Sequence, residues 1–283
     1  MESLIPLVRS AAIIMIPLLF AAAGGLFPAL AGKLNIALEG LLLVGAFTAL
    51  SVYHFTGSIV IAIISAAIAA MALSVLHIFA VFRLRANLFI AGLAINLFSG
   101  GLCIVLSDRL FNTRGVVAAQ PVISQSAPNL FSWYLFSGVF LLFVMWLVIY
   151  KMPFGFRLRA CDKHSEALNS LGIKSKFYQI TAFLISGLLC GIGGSFLSLN
   201  LGAFVPGMSA GRGWIALVII FLGGRKPAGI LAAAFVYGLA EAFSIRAQGF
   251  WNLPADFLLA FPYILTLIAM IVVSVYSKLG NKN

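Results

Sequence analysis

The 283 residues are 63% hydrophobic and 9% charged, with a mean hydropathy of +1.12, far more apolar surface than one water-soluble core can bury. That excludes a soluble enzyme or a soluble nucleic-acid-binding domain, since the formal net charge of +11 is not gathered into a basic cluster within polar sequence. An all-α polytopic membrane protein is expected, forming a single domain over residues 1–283, because apolar runs of about 20 residues suit bilayer-spanning helices and the alternating pattern of a barrel is missing.

Hydropathy sets spans near 10–31, 36–55, 57–81, 88–107, 132–150, 177–200, 213–224, 228–246 and 257–276. That is about nine helices, with eight or ten reached by moving the ends. The first run ends in Ala29-Leu30-Ala31, which resembles a signal-peptidase site. It also carries two prolines, has only Arg9 as a basic flank and is followed by further spans, so it is expected to remain in the membrane. Asp108 to Phe131 is a polar connection between the fourth and fifth spans, rich in Asn, Gln and Pro.

The longest polar interruption is Lys151 to Lys176. From Ala160, small or apolar residues recur at Ala160, Cys161, Ala167, Leu168 and Leu171, with His164 in the same stripe. Arg159, Asp162, Lys163, Glu166 and Asn169 take the other side. That period predicts one short amphipathic helix. Pro153 and Gly155 punctuate its approach, and Gly172 followed by Lys174 and Lys176 ends it, since glycine accepts the left-handed cap and cations suit a helix C-terminus. With this stretch in the cytoplasm, thirteen of the 18 lysines and arginines lie inside and five outside, as the positive-inside rule requires. The N-terminus is then outside and the C-terminus cytoplasmic.

Gly32-Lys33-Leu-Asn35-Ile36-Ala37-Leu38 aligns with Gly211-Arg212-Gly-Trp214-Ile215-Ala216-Leu217 at an offset of 179 residues. One copy starts inside and the other outside, the pattern of an inverted-topology repeat with halves at about 10–107 and 177–276. Within the spans, Asn35 and Glu39 lie one turn apart on one face of the second, and Asn96 sits in the fourth. All three are candidates for a substrate pathway, because polar groups inside a bilayer are costly. For Glu39 the favoured reading is structural, a tie between helix ends or to a backbone group in a packed interior, and for Asn96 the alternative is an interhelical hydrogen bond. Glu241 is expected to pair with Arg246. The three histidines and three cysteines show no metal-ligand or disulfide spacing, and no phosphate-cradling loop ends in Gly-Lys-Ser/Thr, so no metal, cofactor or catalytic residue is assigned.

Four stretches together resemble permease subunits of bacterial ABC importers, in the class serving branched-chain amino acids, ribose and other simple sugars, and nucleosides. They are Asn35-Ile-Ala-Leu-Glu-Gly40, Asn87 to Asn96, Phe154-Gly155-Phe-Arg157-Leu-Arg159 with Glu166-Ala167 to Gly172, and Gly211-Arg-Gly-Trp-Ile-Ala with Gly223-Gly224-Arg-Lys-Pro227. The first is most like the nucleoside and simple-sugar branch. Cys161 and Arg225-Lys226 depart from the residues usual at those positions. The resemblance implies two inverted halves in a bacterial inner membrane, and an ATPase-coupling loop carrying Gly155, Arg157, Arg159, Glu166, Ala167 and Gly172. Implied partners are cytoplasmic ATP-binding subunits, a second permease (identical or related) and an external solute-binding protein or lipoprotein, with membrane lipid around them and no nucleic acid. The solute is expected to be small, neutral and ring-bearing: nucleoside-like, or riboflavin or a simple sugar. An ion-coupled secondary transporter with its own inverted repeat is the alternative.

Overall fold

Runs of Leu, Ile, Ala and Phe without charge give the backbone no solvent partner in a bilayer, so they close their hydrogen bonds internally as helices. The computed structural model describes residues 4–119 and 128–248, together with 260, 263–264, 266–268 and 271. The long helices are α1 (Leu4–Leu30), α2 (Leu38–Thr56), α3 (Ile59–Ile78, continuing into a π-helical turn Phe79–Arg83), α4 (Leu88–Phe111) and α5 (Pro128–Tyr150). Two short helices follow, α6 (Pro153–Lys163) and α7 (Ser165–Ser170), then α8 (Ser175–Leu201), α9 (Arg212–Leu222) and α10 (Pro227–Ala247). A pair of two-residue strands, β1 (Val117–Ala118) and β2 (Ala203–Phe204), runs antiparallel and ties the connection after α4 to the end of α8.

The ends follow local chemistry. Asn87 caps α4, its side-chain oxygen accepting from the N–H groups of Phe89 at 2.9 Å and Ile90 at 3.3 Å. Pro153 and Pro227 open α6 and α10 at a position where a missing N–H costs nothing. Helix α8 runs through the middle, packed against α1, α2 and α3. Small residues let it in: a Cβ on Gly191 would stand 2.8 Å from the Cα of Ala67 on α3, and one on Gly45 of α2 would stand 2.7 Å from the Cα of Gly191.

Six of these helices are long and apolar enough to cross a membrane, and the bent pair of α5 and α6 makes a seventh if it forms one span. The expected count of about nine therefore stands at six, or up to seven, among the described residues. Helix α9 falls short because its 11 residues reach only about 16 Å of an apolar layer about 30 Å thick. The expected span at 257–276 lies mostly outside the described residues.

One amphipathic helix was expected after Ala160; two short helices are found. His164, at φ −129° and ψ 37°, breaks the run and starts α7. The break turns α7 away from the predicted stripe, so Leu168 and Cys161 are buried while Ala167, His164 and Leu171 are exposed, Leu171 at 76%. Pro153 and Gly155, expected before the helix, form its first turn.

Candidate functional site

Each helix start leaves its first N–H groups without a helical partner, and two such starts meet inside this bundle. Helix α2 follows an irregular stretch at 31–37 and α9 another at 205–211. Glu39, on the first turn of α2, supplies the acceptors for α9: Oε1 takes the N–H of Gly211 at 2.8 Å and Oε2 that of Gly213 at 2.6 Å. A carboxylate suits the positive end of a helix dipole as well as its unpaired donors. The approach needs glycine at 213, where a Cβ would fall 2.5 Å from the Cα of Glu39.

Asn35 and Asn96 complete the same junction. The Asn35 amide donates to Ser186 Oγ on α8 at 2.8 Å, and its carbonyl accepts from Ala37 N–H at 3.0 Å. The Asn96 amide donates to the Ile36 carbonyl at 2.9 Å and accepts from Gly40 N–H at 2.8 Å. All three sequence candidates thus converge on the start of α2, and each has protein partners at both polar ends. Ser186 lies about three turns along α8 from Ser175, or about 16 Å at about 1.5 Å per residue, roughly halfway through an apolar layer of about 30 Å. The network is a polar junction deep in the bundle, with Asn35 fully buried and Glu39 and Asn96 half-buried.

Two neighbours were not singled out in the sequence. Arg212 pairs with Glu241 Oε1 at 3.0 Å, their side chains 23% and 19% exposed, and also donates to the Met208 carbonyl. Proximity in sequence had pointed Glu241 to Arg246. Its observed partner is Arg212, because the start of α9 comes level with this turn of α10. Trp214, on the first turn of α9, keeps 43% of its surface exposed; its alignment with Asn35 in the repeat was the one signal for it.

The loop 151–176 has an anchored inner part and an exposed outer part. On α6, Gly155 is buried, Arg157 donates to the Tyr178 hydroxyl at 2.9 Å, and Arg159 stacks on the rings of Tyr150 and Phe156, each 5.1 Å away. Cys161 is buried beside them, and burial pushes its thiol up, keeping it protonated. On α7, Glu166, Ala167 and Gly172 are exposed. Gly172, at φ +78°, ends α7 in a Schellman turn: its N–H reaches the Asn169 carbonyl at 3.0 Å and the Ile173 N–H that of Leu168 at 2.9 Å. Among the described residues no three His, Cys, Asp or Glu side chains gather at metal-binding distance.

Residues 7–273 match the family described as branched-chain amino acid transport system, permease component. The chain is 30% identical over 278 residues to the guanosine ABC transporter permease protein NupQ of Bacillus subtilis, covering 90% of this chain and 87% of the relative. It is 28% identical to the nucleoside ABC transporter permease protein NupC of Lactococcus lactis over 90% and 87% of the two chains. A putative glucose ABC transporter permease protein, TsgC13 of Haloferax volcanii, is 27% identical over 82% of this chain and 74% of its own. Among solved structures, PsaBC from Streptococcus pneumoniae in complex with Fab shares the fold, with a TM-score of 0.57 at 11% identity over 92% of this chain and 89% of that one.

Proposed function

The chain belongs to the branched-chain amino acid transport system permease component family, and on that premise we propose that it is the membrane subunit of an ATP-driven importer for a small, neutral, ring-bearing solute. A nucleoside-like solute is favoured, with riboflavin or a simple sugar next. The carrying observation is the loop 151–176: its inner helix is fixed to the body through Leu158, Cys161 and Arg157, while its outer helix presents Glu166, Ala167, Leu171 and Gly172 to a partner. An anchored, exposed loop on a chain without its own nucleotide-binding motif fits a subunit driven from outside itself. We assign that loop to the cytoplasm, docked on ATP-binding subunits, with the N-terminus outside, a second permease alongside and an external solute-binding protein delivering the solute. Two inverted halves exchange access around the polar junction. Supporting the repeat, α1 and α8 are both 27 residues long, and the aligned Gly32 and Gly211 both take left-handed backbone, at φ +76° and +81°.

In this reading Asn35, Glu39 and Asn96 shape the pathway by fixing the two helix starts that line it, and Trp214 offers the aromatic face for a ring. The pairing of Arg212 with Glu241 leaves, among the described residues, no unmatched positive charge at the junction for an acidic solute. The similarity to permeases named for guanosine and nucleosides points the same way. The deciding experiment is a thermal-shift screen of the partner binding protein against nucleosides, flavins, sugars and amino acids. Stabilisation by nucleosides is expected; a branched-chain amino acid as the sole stabilising ligand overturns the solute assignment.

A further inference from the structure

Asp162 has no part in the reading above, yet it stands where three segments meet. Its Oδ2 accepts from Arg225 Nη1 at 3.4 Å, joining the end of α6 to the turn between α9 and α10. On its other side it packs on the turn between α1 and α2, where a Cβ on Gly32 would stand 2.8 Å from Asp162 Oδ1 and 3.0 Å from its Cα. Gly32 has φ +76°, so glycine serves both the turn and the close contact.

Arg225 is held rather than loosely extended. It takes φ +55°, a left-handed conformation that costs an ordinary side chain energy, and its N–H is fixed to the Ile220 carbonyl at 3.0 Å. Its guanidinium lies over the Phe221 ring, 5.6 Å from the centroid. Among the described residues no other hydrogen bond or ion pair joins the loop 151–176 to the α9–α10 hairpin. The remaining polar ties of α6 run back to α8, from Arg157 to Tyr178 and from the Cys161 thiol to the Ser175 carbonyl.

We infer that the Asp162–Arg225 ion pair is the strut that carries a displacement of the loop to the α9–α10 hairpin, while the contact of Asp162 with Gly32 carries the same displacement to α1 and α2. One carboxylate thereby moves both sides of the polar junction, whose halves are locked together further in by Glu39. The pair is partly exposed, with side chains 41% and 34% accessible, and such pairs hold weakly and are screened by salt. That suits an element that must re-form in every cycle. Asp162 and Arg225 are positioning residues: they touch no solute and act through the helices they join.

This rests on the importer reading, and the test separates the two. The whole complex, with its ATP-binding subunits and solute-binding protein, is reconstituted with D162N, R225Q or the charge-reversed pair D162R/R225D, and solute imported per ATP hydrolysed is measured. Each single variant is expected to assemble and hydrolyse ATP while the ratio falls about threefold or more, with the reversed pair recovering most of the loss, as coupled sites do in a double-mutant cycle. Single variants with the wild-type ratio, a reversed pair no better than the singles, or loss of ATPase binding in D162N would each overturn the strut while leaving the importer intact. Absence of ATP-driven uptake by the unmodified complex overturns the importer reading and the strut with it.

Discussion

A carboxylate deep in an apolar bundle persists only when its oxygens are satisfied, and Glu39 gives each oxygen a backbone N–H of α9. Glu39→Ala would leave the N–H groups of Gly211 and Gly213 unpaired and is expected to destabilise the purified protein by about 2–4 kcal/mol. Glu39→Gln keeps one acceptor and should cost less, about 1 kcal/mol. Thermal unfolding in detergent orders the three proteins; an E39A variant melting with the wild type would deny Glu39 its capping role. The sequence made Asn35, Glu39 and Asn96 conspicuous because polar residues in apolar runs need a reason. It did not identify their partners. The Glu39 acceptors serve donors 172 and 174 positions away, and hydropathy cannot distinguish an amide that meets a solute from one that meets a backbone carbonyl, as Asn96 does at Ile36.

At the scale of elements, the exposed loop carries the clearest consequence. Gly172 closes α7 at φ +78°, and valine there would pay about 1–2 kcal/mol for a left-handed backbone, loosening the outer helix without touching a span. Glu166 sits in the first turn of α7, where acid suits the dipole; lysine reverses the charge offered to a partner. Gly172→Val and Glu166→Lys are each expected to insert normally and to lower uptake relative to ATP hydrolysis. Normal copurification with the ATPase and normal uptake in both would remove the loop as the point of transmission. The cap at Gly172 was readable because its cause is local, a glycine followed by cations. The break at His164 was not, since the spacing from Ala160 to Leu171 fits one continuous helix equally well. Which of those residues is buried depends on α8 and α1, against which α6 packs. The ion pair between Asp162 and Arg225, 63 positions apart, was beyond any local pattern for the same reason.

For the whole molecule, composition alone led to a polytopic helical protein, because nothing else accommodates this much apolar sequence. The shortness of α9 was also visible, since Gly223-Gly224 cut the apolar run. Hidden was the use of the short helix: its start sits deep in the bundle, level with the start of α2, where Glu39 takes its first N–H groups. Such an arrangement favours halves of opposite orientation, in which short helices enter from opposite sides and end at mid-depth. The proposed orientation rests on charge. With the loop 151–176 inside, thirteen basic residues face the cytoplasm and five do not, and Arg225, Gly32 and Asp162 share that face. Reporter fusions before Glu2 and after Arg114 should therefore report outside, and fusions after Lys163 and after Asn283 inside. The N-terminal fusion is the most discriminating of these. An odd number of spans sends the two ends to opposite sides, so a cytoplasmic N-terminus with a cytoplasmic C-terminus would force an even count, break the pairing of α1 with α8 across the repeat, and remove the inverted halves on which the proposed access through the junction depends.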